Sequence, residues 1–148
     1  MRFEWTDDLN TGIPEIDAQN RRIEEYINTL YAAKEMDHRE SVGQVLDQLL
    51  DFAVNHFLFE EHLLEQADFE FRGSHERIHE IFAKKLADFR GRYAQGENPG
   101  DEVLAMLTNW VNTHIRREDK TYVAAVQQVI DKQGGRGWVA GVMKRLFG

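Results

Sequence analysis

The chain has 148 residues, with 26 acidic against 18 basic side chains and a formal net charge of −8. This excludes a general nucleic-acid binder, which needs a basic surface to displace counterions. Cysteine is absent, so disulfides and thiolate metal sites are excluded, and any metal must be held by His, Asp and Glu.

The opening, Met1-Arg2-Phe3-Glu4-Trp5-Thr6-Asp7-Asp8, is acidic where a secretory signal would carry a basic patch and an apolar run. No apolar stretch approaches the ~20 residues needed to span a bilayer. The expectation is a cytoplasmic protein without a transmembrane segment. From there to about residue 130, apolar residues recur at steps of three and four, the period of a helix with one buried face.

The first such segment runs from about Glu15 to Met36, with Pro14 near its start, and its stripe reads Ile16, Asn20, Ile23, Ile27, Leu30. The second, Arg39 to Gln66, carries Val42, Leu46, Leu49, Ala53, His56, Glu60, Leu63. The third, about Gly73 to Gln95, gives His75, His79, Phe82, Leu86, Phe89, Tyr93. The fourth begins after Asn98-Pro99-Gly100 and gives Val103, Leu107, Trp110, His114. Breaks fall at Met36-Asp37-His38, Asp68 to Gly73, and Gly96 to Gly100. Such short connections predict antiparallel neighbours, hence an all-α, up-down-up-down four-helix bundle over residues 1–132 with an N-terminal arm.

An amphipathic C-terminal extension, 133–148, follows that bundle and differs from it in composition. Gly134-Gly135-Arg136-Gly137 breaks the chain, and Trp138, Val139, Val142, Met143, Leu146 and Phe147 then form an apolar stripe beside Lys144 and Arg145. This predicts a short amphipathic helix folded back on the bundle; the alternative is contact with a protein partner or a membrane surface through 136–147.

Polar groups interrupt the stripes at informative places. His56, Glu60, His75, His79 and His114 occupy core-facing positions on three helices, and a buried ionisable group is costly unless it is paired or binds a metal. His56 and Glu60 are four residues apart, as are His75 and His79, so each pair projects from one helical face. Asp119 follows His114 by five residues, about 140° out of phase on a regular helix. A wide π turn restores that phase, and one is predicted between His114 and Asp119. His38 and His62 fall off the stripes and read as surface or boundary residues. Trp110, one turn before His114, is expected to wall the site. Phe57 and Phe59 flank His56 and Glu60, and the sequence does not decide which faces inward.

The order His56-xxx-Glu60, His75-xxx-His79, His114-xxxx-Asp119 resembles the metal-binding pattern of the bacterial hemerythrins. The segment from Trp5 to Gln19, with Thr11-Gly12-Ile13 and Ile16-Asp17-Ala18-Gln19, is similar to that family's arm and first helix. The resemblance implies two irons between the helices, bridged by an oxo or hydroxo group and two carboxylates. His75, His79 and His114 would hold one iron, Glu60 and Asp119 would bridge, and His56 would bind the second iron, which keeps an open position for dioxygen or a similar diatomic ligand. At the position of the family's remaining histidine this chain has Asn20, a neutral and weaker donor. The implied function is an oxygen carrier, store or sensor with weakened dioxygen binding. The alternatives are a single iron on the three histidines and a carboxylate, a redox enzyme acting on dioxygen, peroxide or nitric oxide, and an iron store or structural module.

Overall fold

Each apolar stripe lies on a helix in the computed structural model, which describes residues 3–147; Met1, Arg2, Gly148 and the Phe147 side chain lie outside the described residues. Helix α1 spans Pro14–Glu35, α2 Arg39–Gln66 and α3 Arg72–Ala94. No strand occurs among the described residues. α2 packs against α1 and α3, and α1 also packs against α4, Gly100–Trp110.

The start of α1 is set by its own first turn. Pro14 takes the first helical position, where its missing N–H costs nothing. The Asp17 carboxylate accepts from the Thr11 amide and hydroxyl at 2.7 Å each, and from the Gly12 amide at 3.0 Å. Gly12 sits at φ +87°, a left-handed conformation open to glycine. The arm before it is strapped to α1 by a reciprocal pair: Phe3 N–H donates to Asn28 Oδ1 at 2.8 Å, and Asn28 Nδ2 donates to the Phe3 carbonyl at 3.0 Å.

The fourth stripe begins at Gly100 as its periodicity predicts, but its hydrogen bonding changes partway. α4 runs into a π-helical segment, Val111–Glu118, then a 3-10 turn, Asp119–Tyr122, then α5, Val123–Lys132. The Asp119 N–H donates to the His114 carbonyl, the five-residue bond that defines a π turn. The expected wide turn is therefore present, and it begins ahead of His114. A short 3-10 turn in the arm, Asp7–Leu9, lies against this segment; Asp8 pairs with Arg116, and Leu9 is fully buried.

The C-terminal break is shorter than Gly134 to Gly137. Gly134 and Gly135, at φ +109° and +71°, make the turn, while Arg136 and Gly137 already belong to α6, Arg136–Phe147. α6 packs on α2 and α5 through Val139 and Val142, each 1% exposed, and Leu146 stays exposed.

Among the described residues, buried apolar side chains fall into two clusters. One contains Ile23, Ile27, Leu30, Leu46, Leu49, Phe57, Phe82, Leu86, Leu107 and Trp110 with their neighbours. The other contains Ile13, Ile16, Phe59, Leu63, Leu64, Tyr122, Val126, Ile130, Val139 and Val142. On α1, on α2, and on the rod from α4 to α5, the boundary between clusters falls at the polar residues: Asn20, then His56 and Glu60, then His114 and Asp119. A polar layer thus crosses the apolar interior and splits it.

Close approach of α2 and α3 depends on Gly43, which is buried. A Cβ there would lie 2.5 Å from the Tyr93 ring, which is held beneath the Arg39 guanidinium at 3.9 Å. Gly43→Val is expected to destabilise the fold by about 1–3 kcal/mol through overpacking, and Gly43→Val with Tyr93→Ala to recover part of that loss in urea denaturation. A neutral single variant would mean that the two helices separate at no cost.

Candidate metal centre

The polar layer holds all the predicted site residues. His56, Glu60, His75, His79, His114, Asp119 and Asn20 are each 4% exposed or less. Glu60 stands at the centre, and its two oxygens face different groups. Oε1 lies 3.1 Å from His79 Nε2, 3.9 Å from His114 Nε2 and 4.0 Å from His75 Nε2. Oε2 lies 3.4 Å from His56 Nε2 and accepts a hydrogen bond from the Tyr122 hydroxyl at 3.2 Å. Asp119 divides in the same sense. Its Oδ1 is 2.9 Å from His114 Nε2 and 3.6 Å from His75 Nε2, while Oδ2 accepts from Asn20 Nδ2 at 3.3 Å.

One half of the centre therefore gathers three imidazole nitrogens and two carboxylate oxygens. Among the described residues, Glu60, His75, His114 and Asp119 form one group of candidate ligand atoms, all within 4.8 Å of one another. His79 Nε2 joins them, 3.3 Å from His114 Nε2. Three atoms of this half, Glu60 Oε1, His75 Nε2 and Asp119 Oδ1, are buried with no hydrogen-bond partner. Glu60 Oε1 and Asp119 Oδ1 lie 3.1 Å from His79 Nε2 and 2.9 Å from His114 Nε2, but neither is aligned for a hydrogen bond. Orphaned buried polar atoms are rare because each costs about 1–3 kcal/mol, and these three converge on one point. Ligand atoms about 2.1 Å from a shared ion lie roughly 3 Å apart in adjacent coordination positions, close to the spacing found. Imidazole mixed with carboxylate suits a first-row transition ion such as iron, so the residues fit such a group.

The outward ring nitrogens are held as well. His56 Nδ1 meets Gln19 Oε1 at 2.5 Å, His79 Nδ1 meets Glu61 Oε2 at 3.4 Å, and His114 Nδ1 meets Glu118 Oε2 at 2.9 Å. An acceptor at Nδ1 fixes the tautomer with Nε2 free to bind inward, the usual support of a metal-bound histidine. Sequence reading passed over Glu61, Glu118 and Tyr122. The available signal for Glu118 was its four-residue spacing from His114; Tyr122 carried none, because its position depends on the 3-10 turn after the π segment.

Aromatic rings close the three-histidine half. Phe57 stacks on His79 with centroids 3.9 Å apart, and Trp110 stacks on His114 at 3.9 Å. Trp110 is thus the wall its position predicts. Phe57 and Phe59 both face inward, into different clusters. His38 is exposed and His62 partly exposed, away from the centre. On the other half, His56 borders a cleft of about 440 Å³ whose lining includes Gln19, Arg22, Phe52, Asn55 and Met143.

Charges in the layer stabilise one another. Burial alone would raise the Glu60 carboxyl, but the adjacent imidazoles of His114, His56 and His79 hold it well below the usual carboxylate range. Burial likewise opposes a charge on His114, yet Asp119 and Glu60 push it up to about 10. His79 is raised too, its burial outweighed by Glu60 and Glu61. Burial, with the negative charges of Asp119 and Glu60, raises the Tyr122 phenol far above its ordinary value, so it remains a donor.

Residues 11–126 match the Hemerythrin HHE cation binding domain. The chain is 42% identical to a bacteriohemerythrin of Pseudomonas paraeruginosa and 41% identical to one of Stenotrophomonas maltophilia, in each case over 97% of both chains. Its fold matches the crystal structure of a hemerythrin mutant with a TM-score of 0.77 and 24% identity, covering 84% of this chain and 96% of that one.

Two outcomes are expected from this geometry. Glu118→Ala releases His114 Nδ1 and should lower divalent-metal affinity about 10–100-fold, measured by chelator competition; unchanged affinity would show that the contact orients nothing. His114, protonated at neutral pH without metal, must give up its proton to become a ligand, so metal uptake should release protons and strengthen as pH rises from 5 to 8. Calorimetry in buffers of different ionisation enthalpy measures that release.

Proposed function

The chain belongs to the hemerythrin family, and from that premise we propose that it is a non-haem iron protein that binds dioxygen or a similar small diatomic ligand. The carrying observation is the convergence of three buried, unpartnered atoms, Glu60 Oε1, His75 Nε2 and Asp119 Oδ1. In this reading His75, His79 and His114 hold one iron. Glu60 and Asp119 would serve both that iron and a second position beside His56, with Asn20 near it as a weak donor or none.

Iron bound there would supply a ferrous–ferric couple and an exchangeable coordination position. The chain's own residues do the rest. Phe57, Trp110 and Tyr122 pack against the rings of His79, His114 and His75 and bury them, where low polarity strengthens every charge interaction. The cleft at His56 offers a small ligand a route to the other half. Gln19, Glu61 and Glu118 hold the imidazoles in register.

The same reading takes the bundle as up-down-up-down. The order of the two apolar clusters supports it: α1 passes from the Ile16 cluster to the Ile27 cluster, α2 returns from Leu46 to Leu63, α3 leads toward Leu86, and the last rod returns from Leu107 to Val126. Short connections support it too. No described helix is long and apolar enough to cross a membrane; a cytoplasmic location belongs to the proposal. So does a partner or membrane contact at the exposed end of α6, where Lys144 and Arg145 lie.

The test is anaerobic purification with ferrous iron, an iron count per chain, and absorption spectra through cycles of oxygen exposure and removal. Bound iron with a band that appears under oxygen and fades on its removal is the expected result. Bound iron that oxidises once and irreversibly would replace carriage or sensing with redox chemistry. A chain that takes up no iron would end the proposal.

A further inference from the structure

The two halves of the centre are not equivalent, and the difference lies in which carboxylate oxygens the protein has already used. Glu60 Oε1 and Asp119 Oδ1, on the three-histidine side, have no hydrogen-bond partner. Glu60 Oε2 and Asp119 Oδ2, on the His56 side, each accept one, from the Tyr122 hydroxyl and from the Asn20 amide. We propose that this chain binds one divalent transition ion tightly, on His75, His79, His114, Glu60 and Asp119, and a second only weakly, beside His56. This rests on the iron reading of the centre and assigns its two positions unequal strength.

Three features act in the same direction. The tight position gains by ending the isolation of three buried atoms, a cost already present in the folded chain. The weak position gains nothing of that kind. A carboxylate oxygen keeps a lone pair after accepting one hydrogen bond, so that position is not blocked, but its donors are weakened.

Asn20 then turns the amide against the ion. To donate to Asp119 it directs Nδ2 toward the carboxylate, and an amide nitrogen with both hydrogens is not a ligand. It is 1% exposed, so turning the carbonyl inward forfeits the bond to Asp119 with no water to replace it. One imidazole, His56, is left as the strong neutral donor on that side.

The experiment is an anaerobic titration of the full, metal-stripped chain with Co(II), followed by its visible absorption and by chelator competition, and repeated with ferrous iron. The expected result is stoichiometric uptake of one ion, then a second at least tenfold weaker. Asn20→His should strengthen the second ion by tenfold or more and narrow the gap between the two affinities, whatever smaller change the loss of the Asp119 contact brings to the first. Asn20→Asp, closest in volume to the native residue, gives a second variant with the same expected direction if the histidine disturbs folding. Tyr122→Phe, which removes the hydroxyl alone, should strengthen the second ion by a smaller factor.

Two ions of indistinguishable affinity in the native chain would overturn the inference and leave the iron reading standing. So would folded Asn20 variants in which the second ion is no stronger. No uptake by any form would overturn the iron reading itself.

Discussion

Everything in this molecule accommodates the burial of charge at the middle of an apolar bundle. Two carboxylates and four imidazoles are withdrawn from water, where an unpaired ion would cost several kcal/mol or change its protonation. The arrangement tolerates this by alternation. Glu60 stands among four imidazoles, Asp119 lies against His114 and His75, and a second set of acceptors holds the outer ring nitrogens of His56, His79 and His114. The network still leaves three atoms unsatisfied, and that residue of strain is what a metal ion would relieve. Protonated His114 serves as a counter-ion until then, so metal and proton compete for its nitrogen.

The π segment is the local distortion that makes the network possible. On a regular helix Asp119 would point well away from His114, and one of the two carboxylates would leave the layer. Eight residues of π-helix bring Asp119 to the centre at 0% exposure, and the 3-10 turn after it brings in Tyr122, also at 0%. Such geometry is less favourable than α-helix and persists where surroundings enforce it. Here they include the Asp7–Leu9 turn of the arm, which buries Leu9 and pairs Asp8 with Arg116. The arm, remote from the chemistry in sequence, thus supports the helix that carries two of the site residues.

Packing separates the roles of the two sides. Rings stacked on His79 and His114 bury one side, where a cavity of about 210 Å³ lies against Trp110 and His114, while His56 lies next to a larger cleft of about 440 Å³ lined by Gln19, Arg22, Phe52 and Met143 of α6 among others. Ligand access and weaker metal binding fall on that same side in the functional reading. The helix α6 closes the second apolar cluster with Val139 and Val142 and so belongs to the wall of that cleft as well as to the core.

The sequence by itself determined the helices, the buried stripe of each, and the residues that meet at the centre, because a period of three and four fixes which side chains share a face. It also announced the wide turn, since a five-residue spacing between two polar residues bound for the core has few other solutions. Tertiary structure alone decided what depends on distances between helices. It put Phe57 and Phe59 in different clusters, because a polar layer lies between them. It brought Glu61, Glu118 and Gln19 to the backs of the histidines, and Tyr122 onto Glu60, through contacts that no single-helix pattern encodes. It also decided which oxygen of each carboxylate is free. Asn20 was visible in the sequence as a missing histidine; that its amide occupies Asp119 follows only from the 3.3 Å that separates them across 99 residues of chain.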